Sequence, residues 1–364
     1  EWVLAHGRNG VEVTLVGDDD QSLYSFRHAL GYDGIMEASL ALGAIDLTLP
    51  VNYRCAPNIL EHAAKLIARN SNRAAKNIQA FKTVPGEIIV QREATRAEEG
   101  ALIASTIKGG PKGQWAVLGR TNSLLDSVEV ALSTNGVPYK RMGGKSIWEQ
   151  SIGSVFAGLL RSVSNNSWTG IANALAFSRF DPGWINELSR EVSGTCIDRL
   201  DIALEQVRDD KGNKTLLALR EGFVSWQDQA SMGRTSLVVH GVAGFLAKQC
   251  KSTQVSLLNS LEASFSRLSG TLAQRLSLIS RNRNDVDVAE GVVQIMTLHS
   301  SKGLEFENVW IMGCEEGNLP HTDSTEEEER RLMYVGMTRA KSKLVITGAL
   351  SEGLESRFLE EAAL

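Results

Sequence analysis

The chain has 364 residues, 43% of them hydrophobic and 22% charged, with 38 basic against 43 acidic side chains and a net charge of −5. That make-up excludes disorder, collagen and coiled coil as the main class, and at roughly 150 residues per domain the length suggests about two to three domains. The negative balance argues against a protein that coats nucleic acid without specificity, while leaving room for a local basic groove.

In chain order, Val11 to Val16 reads as a strand ending in Gly17-Asp18-Asp19-Asp20. From Pro57 a helix is predicted, since Pro suits a first helical turn and Ile59, Leu60, Ala63, Leu66 and Ile67 share one face. Ile88-Ile89-Val90 and Trp115-Ala116-Val117-Leu118 read as short buried strands. Ser123 to Thr134 reads as a helix closed by an Asn135-Gly136 turn. From about 150 to 288 strand alternation is nearly absent. A helical stripe through Val155, Phe156, Leu159, Leu160 and Val163 opens that stretch, and Asp181-Pro182-Gly183 reads as a turn. Further stripes lie at about 196–208, 215–228, 236–249 and 254–280. Alternation then returns: Val292 to Thr297 and Val309 to Met312 read as strands, Thr325 to Thr338 as a helix with a capping box, and Lys343 to Thr347 as a strand. The simplest architecture is an α/β domain with a parallel sheet, interrupted by a mainly α-helical inserted domain.

Four scattered cysteines, Cys55, Cys196, Cys250 and Cys314, suit neither a zinc site nor a disulfide framework and fit a reduced, cytoplasmic compartment. No apolar run approaches about 18 residues, so no membrane span is expected. No basic segment followed by an apolar core opens the chain, so no signal peptide is expected, although the start at Glu1 suggests a piece of something longer whose true beginning could carry one.

Four blocks carry chemistry. Asp18, Asp19, Asp20, Gln21 and Ser22 follow a strand, where open α/β sheets place ligands. By themselves they suit a magnesium site or a polar loop equally. Tyr24, Phe26 and Arg27 follow, interleaving base-stacking aromatics with a phosphate-pairing cation, although core packing is the blander account of the two rings. Asn52-Tyr53-Arg54 stands just before a helix, whose N-terminus attracts phosphate. In the segment TLHSSKGLEF, from Thr297 to Phe306, the hydroxyls, His299 and Lys302 can reach phosphate oxygens, and Glu305 can accept from ribose hydroxyls. The segment Glu328 to Ala340 reads as a helix with one solvated face. Arg339 at its end has the character of an arginine finger.

Together, GDDDQSLYSFR, NYR, TLHSSKGLEF and EERRLMYVGMTRA resemble motifs III, IV, V and VI of UvrD/Rep/PcrA-type superfamily 1 DNA helicases, in the family's order and with suitable gaps. The resemblance covers about 1–150 and 289–350. Residues 150–288 match by position alone, where that family carries an inserted domain. It implies a RecA-like fold divided as follows: 1–47, a remnant of a first RecA-like domain; 48–149 and 289–364, the two parts of a second; 150–288, the helical insertion.

It also implies roles. Gln21 would sense the γ-phosphate of ATP and couple it to DNA, with Arg27 in the same network. Arg54 and Arg339 would contact that phosphate, Tyr53 would stack on adenine and Glu305 would hold the ribose. Tyr24, Phe26, Thr297, His299 and Lys302 would touch DNA. Phe26 stands where the family has Trp, His28 where it has Gly, and Cys55 where it has Ser or Thr; the smaller ring of Phe26 puts step efficiency in doubt.

Gly144-Lys145-Ser146 ends like a P-loop, but Tyr139 occupies the position the pattern needs for Gly. No P-loop Lys and no Walker B Asp-Glu pair occur in the 364 residues. In the family both lie upstream of motif III, together with the Mg²⁺ ligands. The implied protein is the C-terminal portion of an ATP-dependent helicase that moves 3′ to 5′ on single-stranded DNA and unwinds duplex. Its partners are DNA and a missing N-terminal half, without which it would not hydrolyse ATP. The alternative is a non-catalytic DNA-binding or scaffold subunit with a decayed motor, against which intact Gln21, Arg54 and Arg339 argue. A helicase–nuclease of the RecB/AddA kind finds no support in the residues after Arg339. Arg275, Arg281 and Arg283 read as a basic edge for duplex DNA, or more simply as a solvated helix face.

Overall fold

A computed structural model describes residues 2–23, 31–74, 76–110, 114–191, 194–284 and 292–364. The chain divides into two compact units, one of Glu1–Ser127, Arg141–Gly143 and Glu290–Leu364, the other of Val128–Lys140 and Gly144–Ala289.

Helices α1 (Trp2–Arg8) and α2 (Gly31–Leu42) come first and pack on each other. Next are strand β1 (Val51–Asn52), helix α3 (Pro57–Ile67) and strand β2 (Gln79–Ala80), with β1 and β2 paired in parallel. Then follow β3 (Glu87–Glu93), α4 (Arg96–Gly109), β4 (Trp115–Gly119), α5 (Asn122–Thr134) and β5 (Tyr139–Met142). The helical stretch comprises α6 (Ser151–Asn165), α7 (Trp168–Phe177), α8 (Pro182–Glu191), α9 (Cys196–Gln206), α10 (Asp210–Ser231), α11 (Thr235–Ala247), α12 (Ser252–Arg267) and α13 (Leu272–Asn284). The chain closes with β6 (Val293–Thr297), β7 (Phe306–Ile311), α14 (Glu326–Met337), β8 (Ala340–Ala349) and α15 (Arg357–Glu361).

Six strands form one sheet in the order β3-β8-β7-β4-β6-β5. The pairs β3 with β8, β8 with β7, β7 with β4 and β4 with β6 are all parallel. A parallel sheet is covered on both faces, so its strands read as continuous apolar runs. Trp115-Ala116-Val117-Leu118-Gly119 is such a run, buried at every position. The fold is therefore α/β, with α6–α13 inserted between β5 and β6.

Helix α3 buries Ile59, Leu60, Ala63, Leu66 and Ile67, the face that the 3.6-residue period marks. Helix α14 buries Leu332, Met333, Val335 and Met337. Its Thr325 side chain accepts from the Glu328 backbone N–H, and four glutamates in its first turn oppose the positive end of the helix dipole. Gly336 lets this helix approach Leu298 and Ile311, where any Cβ would overlap the Leu298 side chain.

The helical unit has its own core, including Phe156, Leu216, Phe223, Trp226 and Phe265. Buried Glu129 of α5 accepts from the Ile147 backbone N–H at 3.1 Å, the Tyr139 hydroxyl at 3.1 Å and the Ser146 hydroxyl. Ser146 is thus tied to a carboxylate, an environment hostile to phosphate.

Four expectations need correction. Ile88-Ile89-Val90 is a strand but not a buried one: β3 is the edge of the sheet, Ile88 and Ile89 are half-buried and Val90 is exposed. Val11 to Val16 is not a strand: no described strand pairs with it, and Val11, Leu15 and Val16 are exposed. With no neighbouring strand among the described residues, its backbone groups have no ladder to join. Asp181-Pro182-Gly183 starts a helix rather than making a turn, because the Asp181 carboxylate accepts from the Trp184 N–H at 2.8 Å and Pro182 opens α8. The stripe at 254–280 is two helices, α12 and α13, broken around Gly270, whose φ of +104° is a glycine conformation.

Candidate nucleotide site

Strands β7 and β8 run parallel, and Glu305 and Arg339 each stand one residue before their starts. Both therefore lie at the same edge of the sheet. Asn52, in β1, turns the chain there too: its side-chain oxygen accepts from the backbone N–H groups of Arg54 and Cys55, both at 2.9 Å. That Asx turn presents Tyr53 outward and aims Arg54 inward.

Arg54 Nε donates to Glu305 Oε2 at 2.9 Å, and Arg54 Nη1 donates to the Thr338 carbonyl at 3.4 Å. Lys341 Nζ holds the other Glu305 oxygen at 2.7 Å. Hydrogen bonds from Lys341 first, then Arg54, draw the Glu305 carboxyl down to a pKa of about 2. Arg339 is 1% exposed. Its Nε donates to the Val335 carbonyl and its Nη1 to the Leu304 carbonyl, both at 3.0 Å. Its Nη2 donates to Gln21 Oε1 at 3.1 Å. Burial, then the nearby Arg54 charge, lowers its pKa to about 10, so it remains a cation at neutral pH. Cys55 lies beneath, its Sγ 3.5 Å from the Thr338 carbonyl, and burial raises its thiol pKa.

An open depression of about 500 Å³ is lined by Asn52, Tyr53, Arg54, Lys82, Glu305 and Lys341. Three cations against one carboxylate leave it positive. Tyr53 is 67% exposed and packs one side against Phe81, with ring centroids 4.8 Å apart. A cationic hollow beside an exposed ring suits an anion that carries a flat base, as a nucleotide does.

The structure thus brings together Gln21, Tyr53, Arg54, Glu305 and Arg339. It places Thr297 and His299 at the opposite edge, at and just past the C-terminal end of β6. Thr297 Oγ1 accepts from the Ser300 N–H at 3.2 Å and pins a short turn at His299–Ser301. His299 is half-buried, and burial first, then the Arg120 charge, lowers its pKa. Lys302 is exposed on the segment that returns to Glu305. One decapeptide therefore spans both edges of the sheet. Tyr24, Phe26 and Arg27 lie outside the described residues.

Lys82, Lys341, Arg73 and Lys76 were missed in the sequence. None belongs to a recognisable pattern; the one available hint was that Lys341 follows Arg339 at alternate spacing. Arg275 donates to the carbonyls of Phe265, Ser266 and Gly270 and so closes the end of α12. The side chains of Arg281 and Arg283 lie outside the described residues. The oxygens of Asp18, Asp19 and Asp20 lie within 4.8 Å of one another, but Lys76 pairs with all three and Arg73 with Asp20. Among the described residues no helix is long and apolar enough to cross a membrane.

Fold and site together define an α/β domain with a cationic edge and a helical insertion. A profile of the UvrD-like helicase C-terminal domain matches residues 47–216 and 246–351, and the chain belongs to that family. It is 31% identical to DNA helicase II of Haemophilus influenzae, over 98% of this chain and 54% of that protein. It is 30% identical to ATP-dependent DNA helicase UvrD1 of Mycobacterium leprae, over 96% and 53%, and 29% identical to ATP-dependent DNA helicase Rep of Escherichia coli, over 96% and 59%. The chain spans about half the length of the curated relatives it matches.

Proposed function

We propose that these residues are the C-terminal portion of an ATP-dependent DNA helicase that moves 3′ to 5′ along single-stranded DNA and unwinds duplex. The observation that carries the reading is the convergence of Arg54, Arg339 and Gln21 at one edge of the sheet. Arg339 meets the Gln21 amide there, and Arg54 reaches the neighbouring Thr338 carbonyl, beside a positive hollow and an exposed tyrosine.

On this reading Tyr53 stacks on adenine, Glu305 holds the ribose, and Arg54 and Arg339 face the γ-phosphate. ATP supplies the phosphoryl group, and charge on it in the transition state is stabilised by the two guanidiniums. Gln21 senses the γ-phosphate, with Arg27 beside it. The Mg²⁺ ligands and the phosphate-cradling lysine belong to the N-terminal half, so residues 1–364 alone do not hydrolyse ATP. DNA runs over Tyr24, Phe26, Thr297, His299 and Lys302. The proposed division is a remnant at 1–47, a second RecA-like domain at 48–149 and 289–364, and an insertion at 150–288.

The test is Arg339→Ala in the full-length protein. Single-strand-stimulated ATP turnover should fall by roughly a thousandfold, as for other arginine fingers, while nucleotide affinity changes little. An unchanged turnover rate would sink the assignment.

A further inference from the structure

Gln21 makes two contacts of opposite character. Its Nε2 donates to Asp18 Oδ2 at 2.5 Å, and its Oε1 accepts from Arg339 Nη2 at 3.1 Å. A carboxylate only accepts and a guanidinium only donates, so both ends select the same amide orientation. That selection holds only while the Asp18 carboxylate is held in place. Asp18 sits at the start of a short 3-10 turn over Asp19–Gln21 and also accepts from the Asp20 N–H at 3.2 Å.

The group that holds it comes from the loop after α3. Lys76 Nζ lies 2.7 Å from Asp18 Oδ1 and 3.3 Å from Asp20 Oδ2, and also meets Asp19 Oδ1. Arg73 grips Asp20 with two parallel bonds, Nε to Oδ1 at 2.9 Å and Nη2 to Oδ2 at 2.8 Å. The Ala74 N–H donates to Asp19 Oδ2 at 2.7 Å. Asp19 and Asp20 are buried. Burial by itself would raise the Asp19 carboxyl, but Lys76 and the Ala74 N–H outweigh it and its pKa falls. Three adjacent carboxylates repel one another, and cations threaded between them remove that cost.

We propose that Lys76, supported by Arg73, is a positioning residue for ATP hydrolysis: it holds Asp18 so that the Gln21 amide oxygen faces Arg339 and the γ-phosphate. The relay runs from Lys76 through Asp18 and Gln21 to Arg339. This rests on the helicase reading for its catalytic consequence, but not for its geometry.

Two measurements separate the two. In the full-length protein labelled with ¹⁵N at glutamine, the Gln21 side-chain NH₂ signals are assigned by their loss in Gln21→Ala. They should exchange slowly with solvent. In Lys76→Met they should move toward free-amide positions and exchange at least tenfold faster, while Lys76→Arg keeps them protected. Unchanged Gln21 signals in Lys76→Met overturn the proposal. In the full-length protein, Lys76→Met should lower kcat for DNA-stimulated ATP hydrolysis by roughly ten- to a hundredfold, the scale of a misplaced catalytic group. KM for ATP should stay within twofold, and Lys76→Arg should recover most of the rate. Asp18→Asn, which keeps the shape of the turn but lets the amide flip, should lower kcat in the same sense if Lys76→Met folds poorly. A kcat within twofold of wild type in both Lys76→Met and Asp18→Asn overturns the proposal. Absence of ATPase in the wild-type full-length protein overturns the helicase reading instead, and the Gln21 signals then decide the positioning claim alone.

Discussion

Arg54 Nε and Glu305 Oε2 meet at 2.9 Å although 251 positions separate them in the chain. The contact joins the turn before α3 to the start of β7, and Lys341 completes it from β8. With side chains 28% and 46% exposed, the pair contributes about 1 kcal/mol or less to stability. Its value lies in shaping the hollow.

Glu305→Gln should accordingly leave the denaturant midpoint almost unchanged while raising KM for ATP several-fold in the full-length protein. The acid side gives a second readout. The folded pKa of about 2 is below the unfolded value of about 4.3. The stabilising contribution is therefore complete above about pH 4.3 and lost as pH falls toward 2. Acid unfolding followed by circular dichroism should be shallower over that window in Glu305→Gln.

Arg120 and Glu329 form a buried pair. Arg120 Nε and Nη2 donate to Glu329 Oε2 and Oε1 at 2.9 and 2.8 Å, and the His321 N–H donates to Oε2 at 3.1 Å. Their side chains are 15% and 2% exposed. Glu329→Ala strands a buried guanidinium and should cost about 3–5 kcal/mol in urea unfolding. Arg120→Met with Glu329→Leu should recover most of that loss, because the isolated charge is gone. A double variant as unstable as the single one would contradict this account.

Gly170 marks where α7 crosses α6. A Cβ there would overlap the Gly158 carbonyl oxygen, and Ser162 Oγ stands beside it. Gly170→Ala should destabilise the helical unit by about 1–3 kcal/mol through overpacking, read as a lower thermal midpoint. Gly244→Ala meets nothing within 4 Å and should leave that midpoint unchanged or raise it.

His299 ties stability to neutral pH. Burial, then Arg120, holds its pKa below the unfolded value of about 6.5, so the unfolded chain binds the extra proton first. Stability from this group is complete above about pH 6.5 and lost as pH falls below it. His299→Gln should flatten the pH dependence of the urea midpoint between pH 5 and 7.

Much of the fold was legible because its signals are local. The apolar period of α3, the continuous run of β4 and the capped start of α14 need no distant partner to be read. The failures have separate causes, one distant and one local. Val11 to Val16 has strand composition, yet a strand exists only if another pairs with it. Pro182 has turn composition, yet the Asp181 carboxylate makes it a helix start.

The sequence by itself determined the class of protein: motif order and residue type survive without coordinates, and they named Gln21, Arg54, Glu305 and Arg339. The net charge of −5 averages over the whole chain and gave no sign of the hollow at Arg54, Lys82 and Lys341, which is locally positive. The tertiary structure alone decided which side chains touch. Lys76 on Asp18, Arg120 on Glu329 and Lys341 on Glu305 join residues 58, 209 and 36 positions apart. Electrostatic partners are chosen by proximity in space and by the low dielectric of burial, and neither quantity is written in the spacing of residues along the chain.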